Sequence, residues 1–132
     1  PLPGVGFAMG DVVISLVLAK FSLLPDVTKR ARSIVVVTVF DETTLAASLQ
    51  AAAEIRAAGI PALCTNQADR LGKQFKFADR IHAGAAIVLG PDEIASGSVA
   101  VKDLNTGEQS SHARGAMIPA LQNILARDPG SW

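Results

Sequence analysis

The sequence has little cysteine and no excess of charge of either sign. Its single cysteine, Cys64, cannot form a disulfide within the chain, and its apolar neighbours favour a core position. Twelve basic residues balance twelve acidic ones, so the formal net charge is zero. This balance argues against a protein that binds nucleic acid indiscriminately through an overall positive charge. Any contact with a nucleic acid must therefore be local.

The sequence also lacks an apolar run long enough to cross a membrane. Residues 12–19 are largely apolar, but Asp11 and Lys20 bracket them, and a span needs about 20 residues. No positive charge precedes this run, so a signal peptide is not predicted. The opening PLPGVGFAMG has no initiating Met and is expected to belong to a fragment of a longer chain.

Spacings typical of metal sites and of catalytic triads are missing as well. His82 and His112 have no ligand partners at metal spacing, and Cys64 lies far from both. Ser111 precedes His112, but nothing marks a nucleophile elbow. The glycines of GVGFAMG do not follow the dinucleotide-binding spacing. We therefore predict no metal site and no catalytic residue in this chain.

What is present is the pattern of an α/β domain preceded by a helical arm. Residues 11–23 predict a helix buried on several sides, and Pro25 ends it. A linker at residues 25–32 separates this arm, residues 1–24, from a main domain at residues 33–132. Strands are predicted at residues 33–40, 61–64, 85–89 and 98–104, with a hairpin partner starting near Gly107. Three helices complete a mixed sheet of about five strands.

One of these helices is predicted to carry a basic face. At about 100° per residue, Leu71, Phe75, Ala78 and His82 fall on one side, and a second set falls opposite. That second set consists of Lys73, Lys76 and Arg80. No acidic residue stands at Glu-to-Lys spacing within this stripe, and Phe77 at its border suits stacking of an unpaired base. The alternatives are an ordinary solvated face and a Phe77 turned into the core.

Glu93 and Lys102 form a second candidate constellation, on either side of a turn at Gly97. A carboxylate accepts hydrogen bonds from base amino groups, and an ammonium donates to base oxygens or to phosphate. Together they could read the edge of a base in single-stranded RNA. The alternative is a surface ion pair.

The segment GKQFKFADRIHAGAAIVLGPDEIASGSVAVKDLNTGEQ, residues 72–109, resembles the second half of the anticodon-binding domain of histidyl-tRNA synthetases. That family typically reads Lys-Lys-Gln-Phe-Lys-x-Ala-Asp, then Leu-Gly-x-Asp-Glu, then Gly-x-Val-x-Val-Lys-Asp-Leu-x-Thr-Gly-Glu-Gln. The match is close over residues 73–109 and looser from residue 32 to the C-terminus. The resemblance implies that residues 33–132 form an anticodon-binding domain.

The opening PGVGFAMGD is similar to the third signature segment of the class II catalytic domain of the same family. The resemblance implies that residues 1–24 are a remnant of that catalytic domain. Many family members carry Glu-Arg shortly after the last glycine, where the arginine contacts ATP, whereas this chain has Asp11, Val12 and Val13.

The resemblance implies a full-length parent that joins histidine to its tRNA with ATP and Mg²⁺, as a cytoplasmic homodimer. This chain lacks the remaining active-site strands and the first two signature segments, so it is expected to be non-catalytic and to bind no cofactor. Its implied partner is the anticodon stem-loop of histidine tRNA, with neither DNA nor a membrane. Two alternatives remain: a non-aminoacylating regulatory paralogue that senses tRNA or joins subunits, and a small protein-interaction domain without an RNA role.

Carried over residue by residue, the family's anticodon contacts fall on Lys76, Glu93 and Lys102. Arg70, Lys73 and Gln74 are expected to flank them as phosphate or base contacts. Arg80 joins this set from the basic helix face. The predicted tRNA-binding residues are thus Arg70, Lys73, Gln74, Lys76, Arg80, Glu93 and Lys102.

Overall fold

The computed structural model describes residues 3–24, 33–65 and 68–126. The helices are α1 (Asp11–Lys20), α2 (Leu45–Ala57), α3 (Leu71–Arg80), α4 (Pro91–Ser96) and α5 (Met117–Ala126), the last preceded by a 3-10 turn (Arg114–Ala116). The strands are β1 (Val35–Val37), β2 (Ala62–Cys64), β3 (Ala85–Val88), β4 (Ser98–Asp103) and β5 (Gln109–Ala113). The linker predicted at residues 25–32 lies outside the described residues, as do residues 127–132 of the predicted main domain.

The five strands form one mixed sheet in the order β2-β1-β3-β4-β5. Strand β1 pairs in parallel with β2 and β3, whereas β3–β4 and β4–β5 are antiparallel. The parallel pairs are joined through helices α2 and α3, as crossover connections require. The predicted α/β fold with a mixed five-stranded sheet is confirmed.

Strand β1 lies in the middle of the parallel part of the sheet because both of its faces are apolar. Val35, Val36 and Val37 are all buried, which is the pattern of a strand covered on both sides. Since side chains alternate along a strand, Val35 and Val37 enter one core and Val36 enters the other. The run of β-branched residues therefore separates two cores.

The larger core lies between one face of the sheet and helices α2 and α5. Ala51, Ala52 and Ile55 come from α2, while Leu121 and Ile124 come from α5. Small alanines let α2 approach the sheet closely. Two buried hydroxyls are satisfied at its edge, where Ser48 Oγ donates to the Thr38 carbonyl at 3.0 Å and Thr38 Oγ donates to the Ile87 carbonyl at 2.9 Å.

The smaller core lies under α3 on the opposite face of the sheet. Val36, Ala78 and Ala83 are buried there, with Phe77 and Ile81 packed partly against them. His82, predicted to lie on the packing side of α3, is instead exposed, with φ at 54° just after the helix ends. The helix stops two residues earlier than its stripe predicts, so His82 leaves the helical face.

A buried amide fixes α3 against the end of β1. Gln74 is only 2% exposed. Its Oε1 accepts from the Val39 backbone N–H at 2.9 Å, and its Nε2 donates to the Val39 carbonyl at 2.8 Å and to the Asp69 carbonyl at 2.6 Å. The side chain thus pairs with Val39 as a neighbouring strand would, and holds the helix and the preceding loop to the sheet.

Helix α1 has no buried residue. Sequence analysis predicts a helix buried on several sides, and this prediction is wrong for the described residues. Its apolar side chains include Val12, Val13 and Leu16, which are 65% exposed or more. Among the helices of residues 3–24, 33–65 and 68–126, none is both long and apolar enough to span a bilayer.

Replacing Gln74 with alanine is expected to lower the free energy of unfolding by about 2 to 6 kcal/mol, because two buried backbone groups of Val39 lose their partner at about 1 to 3 kcal/mol each. Urea unfolding followed by circular dichroism measures the change. Gln122→Ala, at an exposed position of α5, is the matched control and should change stability by less than about 0.5 kcal/mol. Equal, small effects of both substitutions would contradict the role assigned to the Gln74 amide.

Candidate nucleic-acid interface

The basic face of α3, defined as Lys73, Lys76 and Arg80, points away from the sheet. All three residues are exposed, whereas Gln74 and Ala78 on the other side of the helix are buried. The hydrogen bonds of Gln74 fix this rotation, since one residue of slip would turn the helix by about 100°. The predicted division of α3 into a packing side and a basic side is confirmed.

The basic face borders an open groove of about 480 Å³. It is lined by Thr65, Asp69, Lys73, Gln74, Lys76, Phe77 and Arg80. A groove that combines cations with an aromatic ring suits single-stranded RNA, in which phosphates need cations and unstacked bases need a flat apolar surface. The groove is open to solvent.

Phe77 lies between the two positions that sequence analysis left open, the core and the exposed basic face. Its ring packs partly against the smaller core, and it also lines the groove. The guanidinium of Arg80 lies over the ring, 5.6 Å from its centroid. This cation–π contact holds an exposed arginine next to a half-buried aromatic surface.

One cation of the basic face already has a partner. Lys73 Nζ lies 2.6 Å from Asp69 Oδ2, four residues earlier in the chain. The hydrogen bond from Lys73 is the main cause that lowers the pKa of Asp69 below its ordinary value of 3.8, so this carboxylate stays charged at neutral pH. The expectation that no acidic residue stands at helix spacing to the stripe is therefore wrong: Asp69 lies just before the helix and reaches Lys73. Among the described residues, no carboxylate forms a salt bridge with Lys76 or Arg80.

The structure removes Gln74 from the predicted contact set. Both of its amide atoms are buried and bonded to backbone groups, so a phosphate or a base would have to displace those bonds to reach it. Gln74 supports the interface from beneath. Arg70, by contrast, is exposed at the residue that precedes α3, where its carbonyl accepts from the N–H groups of Lys73 and Gln74.

Glu93 helps to build the short helix α4. Its Oε2 accepts from the Gly90 backbone N–H at 3.0 Å, which is the half of a capping box that the third helical residue supplies; glycine has no side chain to return the bond. A Cβ at position 90 would lie 2.7 Å from Glu93 Oε2, so glycine leaves the room that this bond needs. Within residues 3–24, 33–65 and 68–126, the second carboxylate oxygen has no hydrogen-bond partner. The half-buried side chain lines a cavity of about 240 Å³ beside α2.

Lys102 lies on the other flank of α3. Its Nζ stands 4.6 Å from the centroid of the Phe75 ring, and the side chain is half-buried. Sequence analysis assigns Phe75 only to packing, so its contact with Lys102 was missed. Lys102 and Glu93 form no salt bridge with each other. Lys102 is four residues along β4 from Ser98, about 13 Å at strand spacing, which separates it from the turn that carries Glu93.

The described part of the chain brings together no three His, Cys, Asp or Glu side chains that could hold a metal ion. The exposed Ser110 and the half-buried His112 share a hydrogen bond of 2.8 Å on β5. The arrangement on α3 and β4 offers cations and aromatic rings, which are the groups that bind phosphates and unstacked bases.

Comparisons with known proteins agree with this geometry. Residues 33–124 match the family model described as the anticodon binding domain. A histidine-tRNA ligase from Anaeromyxobacter sp. (strain K) is 37% identical over 131 residues, covering 98% of this chain and 29% of its own length. A histidine-tRNA ligase from Marinomonas sp. (strain MWYL1) is 37% identical over 113 residues, covering 84% of this chain and 26% of its own length. The chain thus spans less than a third of the length of these curated relatives.

Solved structures show the same fold. The histidyl-tRNA synthetase from Nostoc sp. PCC 7120 superimposes with a TM-score of 0.69 at 25% identity, covering 87% of this chain and 28% of that one. The RNA-binding domain of threonyl-tRNA synthetase from Cryptosporidium parvum gives a TM-score of 0.63 at 16% identity, over 71% of this chain and 24% of that one, which supports the fold alone. Taken with the family model and the curated relatives, these matches establish that this chain belongs to the anticodon-binding domain family, in the form that histidine-tRNA ligases carry.

Proposed function

We propose that this chain binds the anticodon stem-loop of histidine tRNA through the basic face of α3, as the anticodon-reading part of a longer histidine-tRNA ligase. The observation that carries the proposal is the groove of about 480 Å³, in which Lys76, Arg80 and Phe77 lie side by side within an anticodon-binding fold. Phosphates pair with the two cations, and an unpaired base stacks beside the Phe77 ring.

The neutral charge of the chain makes this local arrangement decisive. With twelve basic and twelve acidic residues, long-range attraction does not draw RNA to the molecule as a whole. Binding must instead come from a few cations with defined positions. Two or three phosphate contacts predict a shallow dependence of affinity on salt, because each contact releases less than one counterion from a single strand.

The proposal assigns the chemistry to other parts of the parent protein. There the ligase would use ATP and Mg²⁺ to join histidine to its tRNA, as a cytoplasmic homodimer, and this chain would supply no catalytic residue. The rival proposal is a regulatory paralogue that binds tRNA without charging it, which Val12 and Val13 favour because many relatives have Glu-Arg there. Charging of tRNA with histidine by the purified full-length parent separates the two, since a paralogue would bind tRNA and release no AMP.

Lys76→Ala is expected to weaken binding of the histidine anticodon stem-loop by about 1 to 3 kcal/mol, because it removes an unpaired cation from the centre of the basic face. Fluorescence titration of the full 132-residue chain measures the affinity, with a stem-loop of altered anticodon as the second ligand. Lys20→Ala, on the exposed surface of α1, is the matched control and should leave binding unchanged. If the unsubstituted chain binds both stem-loops equally, anticodon reading by this chain is wrong.

Glu93 requires a pair of substitutions because it also caps α4. Glu93→Gln keeps a side-chain oxygen for the Gly90 N–H but removes the negative charge, whereas Glu93→Ala removes both. If Glu93 accepts hydrogen bonds from a base, both variants should weaken binding by about 1 to 3 kcal/mol, and only the alanine variant should also lose stability, by about 1 kcal/mol. Titration and thermal unfolding of the same samples measure the two quantities. If Glu93→Gln leaves the RNA affinity unchanged, Glu93 does not contact a base and serves only to cap α4.

Asp69→Asn is expected to strengthen RNA binding. The substitution releases Lys73 from its partner and removes a negative charge from the edge of the groove, while asparagine still accepts the Arg70 N–H. The slope of log affinity against log salt should become steeper by up to about 0.7, the value of one added phosphate contact on a single strand. Titrations between 50 and 200 mM salt, about the range over which such slopes are read, measure it. An unchanged slope would mean that Lys73 does not reach a phosphate.

A further inference from the structure

The contact between Lys102 and Phe75 gives the lysine a fixed position. An exposed lysine samples many rotamers, but this ammonium stands 4.6 Å from a ring centroid, on a half-buried side chain near the C-terminal end of β4. Cation–π attraction and partial burial both limit its motion. The ammonium keeps donor hydrogens free on the side away from the ring.

Gln109 lies beside Lys102 on the same face of the sheet. The two residues are opposite each other in the β4–β5 register. The Asp103 N–H donates to the carbonyl of Glu108, just before β5. The Leu104 N–H donates to the carbonyl of Gly84, just before β3, so backbone bonding alternates between the two neighbouring strands along β4. Lys102 and Gln109 are therefore a non-hydrogen-bonded pair, whose Cβ atoms lie about 4.5 to 5.5 Å apart. Gln109 is exposed and, within the described residues, has no assigned side-chain partner.

This pair is separate from the groove beside the basic face. Phe75 and Phe77 are two residues apart on α3, so their side chains point about 200° apart around the helix axis. Phe77 lines the groove with Lys73 and Arg80, whereas Phe75 faces β4 and holds Lys102. Helix α3 thus has one ring–cation pair on each of two sides: Phe77 with Arg80 beside the groove, and Phe75 with Lys102 beside β4.

The donor and acceptor groups at Lys102 and Gln109 fit a base edge better than a phosphate. An ammonium only donates, whereas the glutamine amide both donates and accepts. A phosphate would leave the glutamine carbonyl without a donor. A keto oxygen next to a ring N–H satisfies both side chains, and guanine and uracil are the RNA bases that present this edge.

We infer that Lys102 and Gln109 read one unpaired guanine or uracil of the bound RNA loop, and that Phe75 is the positioning residue that holds the Lys102 ammonium for this contact. The inference rests on the proposed function, because it requires an RNA loop bound at α3. It adds Gln109 and Phe75 to the interface and pairs Lys102 with Gln109 instead of Glu93 at the edge of a base.

The experiment uses the full 132-residue chain and the histidine anticodon stem-loop, with loops in which each guanine is changed to adenine and each uracil to cytosine. These changes replace the keto oxygen and ring N–H with an amino group and a bare nitrogen. Lys102→Met and Gln109→Leu should each lose about 5- to 100-fold of the discrimination at one and the same loop position. Phe75→Leu should reduce the discrimination at that loop position by about 2- to 5-fold. Phe75→Tyr should retain the discrimination because the aromatic face is kept.

Lys20→Met and Gln122→Leu are the matched controls, on the exposed surfaces of α1 and α5, and should leave discrimination unchanged.

If Phe75 acts through Lys102, adding Phe75→Leu to Lys102→Met should cause no further loss. If Phe75→Leu lowers the melting temperature because Phe75 also packs in the domain, the result for Gln109→Leu decides, since Gln109 is exposed. Equal weakening for every loop, or losses at different loop positions, would overturn the inference while leaving RNA binding intact. Equal affinity of the unsubstituted chain for all loops would instead refute the proposed function.

Discussion

The interaction on which this interface depends is the pairing of the Gln74 amide with the backbone of Val39. It connects α3 to the end of the central strand and also ties down the Asp69 carbonyl of the preceding loop. Because the amide is buried, its hydrogen bonds are costly to break, and they set the rotation of the helix about its axis. That rotation decides which side chains face the solvent. The basic face, the groove and the contact of Phe75 with Lys102 all follow from it.

The sheet divides structural and binding roles between its two faces. One face is closed by α2 and α5 over the larger core, which includes Val35, Ile87 and Leu121. The other face carries α3 over a smaller core, and beyond the helix the β4–β5 hairpin presents Lys102, Gln109 and Ser111, none of them buried. A domain with one well-packed face can leave polar side chains on the other at little cost in stability. The placement of the candidate contacts on the α3 side is therefore a consequence of the fold.

Much of this arrangement follows from the sequence because it depends on local patterns. The valine run predicts a central strand, and helical spacing separates Ala78 from Lys73, Lys76 and Arg80. The resemblance over residues 73–109 adds the anticodon-binding fold. What sequence reasoning misses depends on contacts between distant positions. Gln74 is polar and lies next to Lys73, so only its partner 35 residues away, Val39, shows that it is buried. The contact of Phe75 with Lys102 likewise requires α3 to lie beside β4. Asp69 was missed for a different reason. It lies just before α3, whereas helical spacing to the basic face was applied only to residues within the helix.

The most direct test of this account is a map of the RNA-contacting residues in solution. Amide chemical shifts of the isotopically labelled 132-residue chain are recorded by NMR while the histidine anticodon stem-loop is added. The account predicts that the perturbed amides cluster on α3 from Arg70 to Arg80 and on the facing part of the β4–β5 hairpin around Lys102 and Gln109. Amides of α5 and of the α2 surface should stay unchanged. Perturbations confined to α2 and α5, with α3 unaffected at saturating RNA, would contradict the claim that α3 presents the RNA-binding surface.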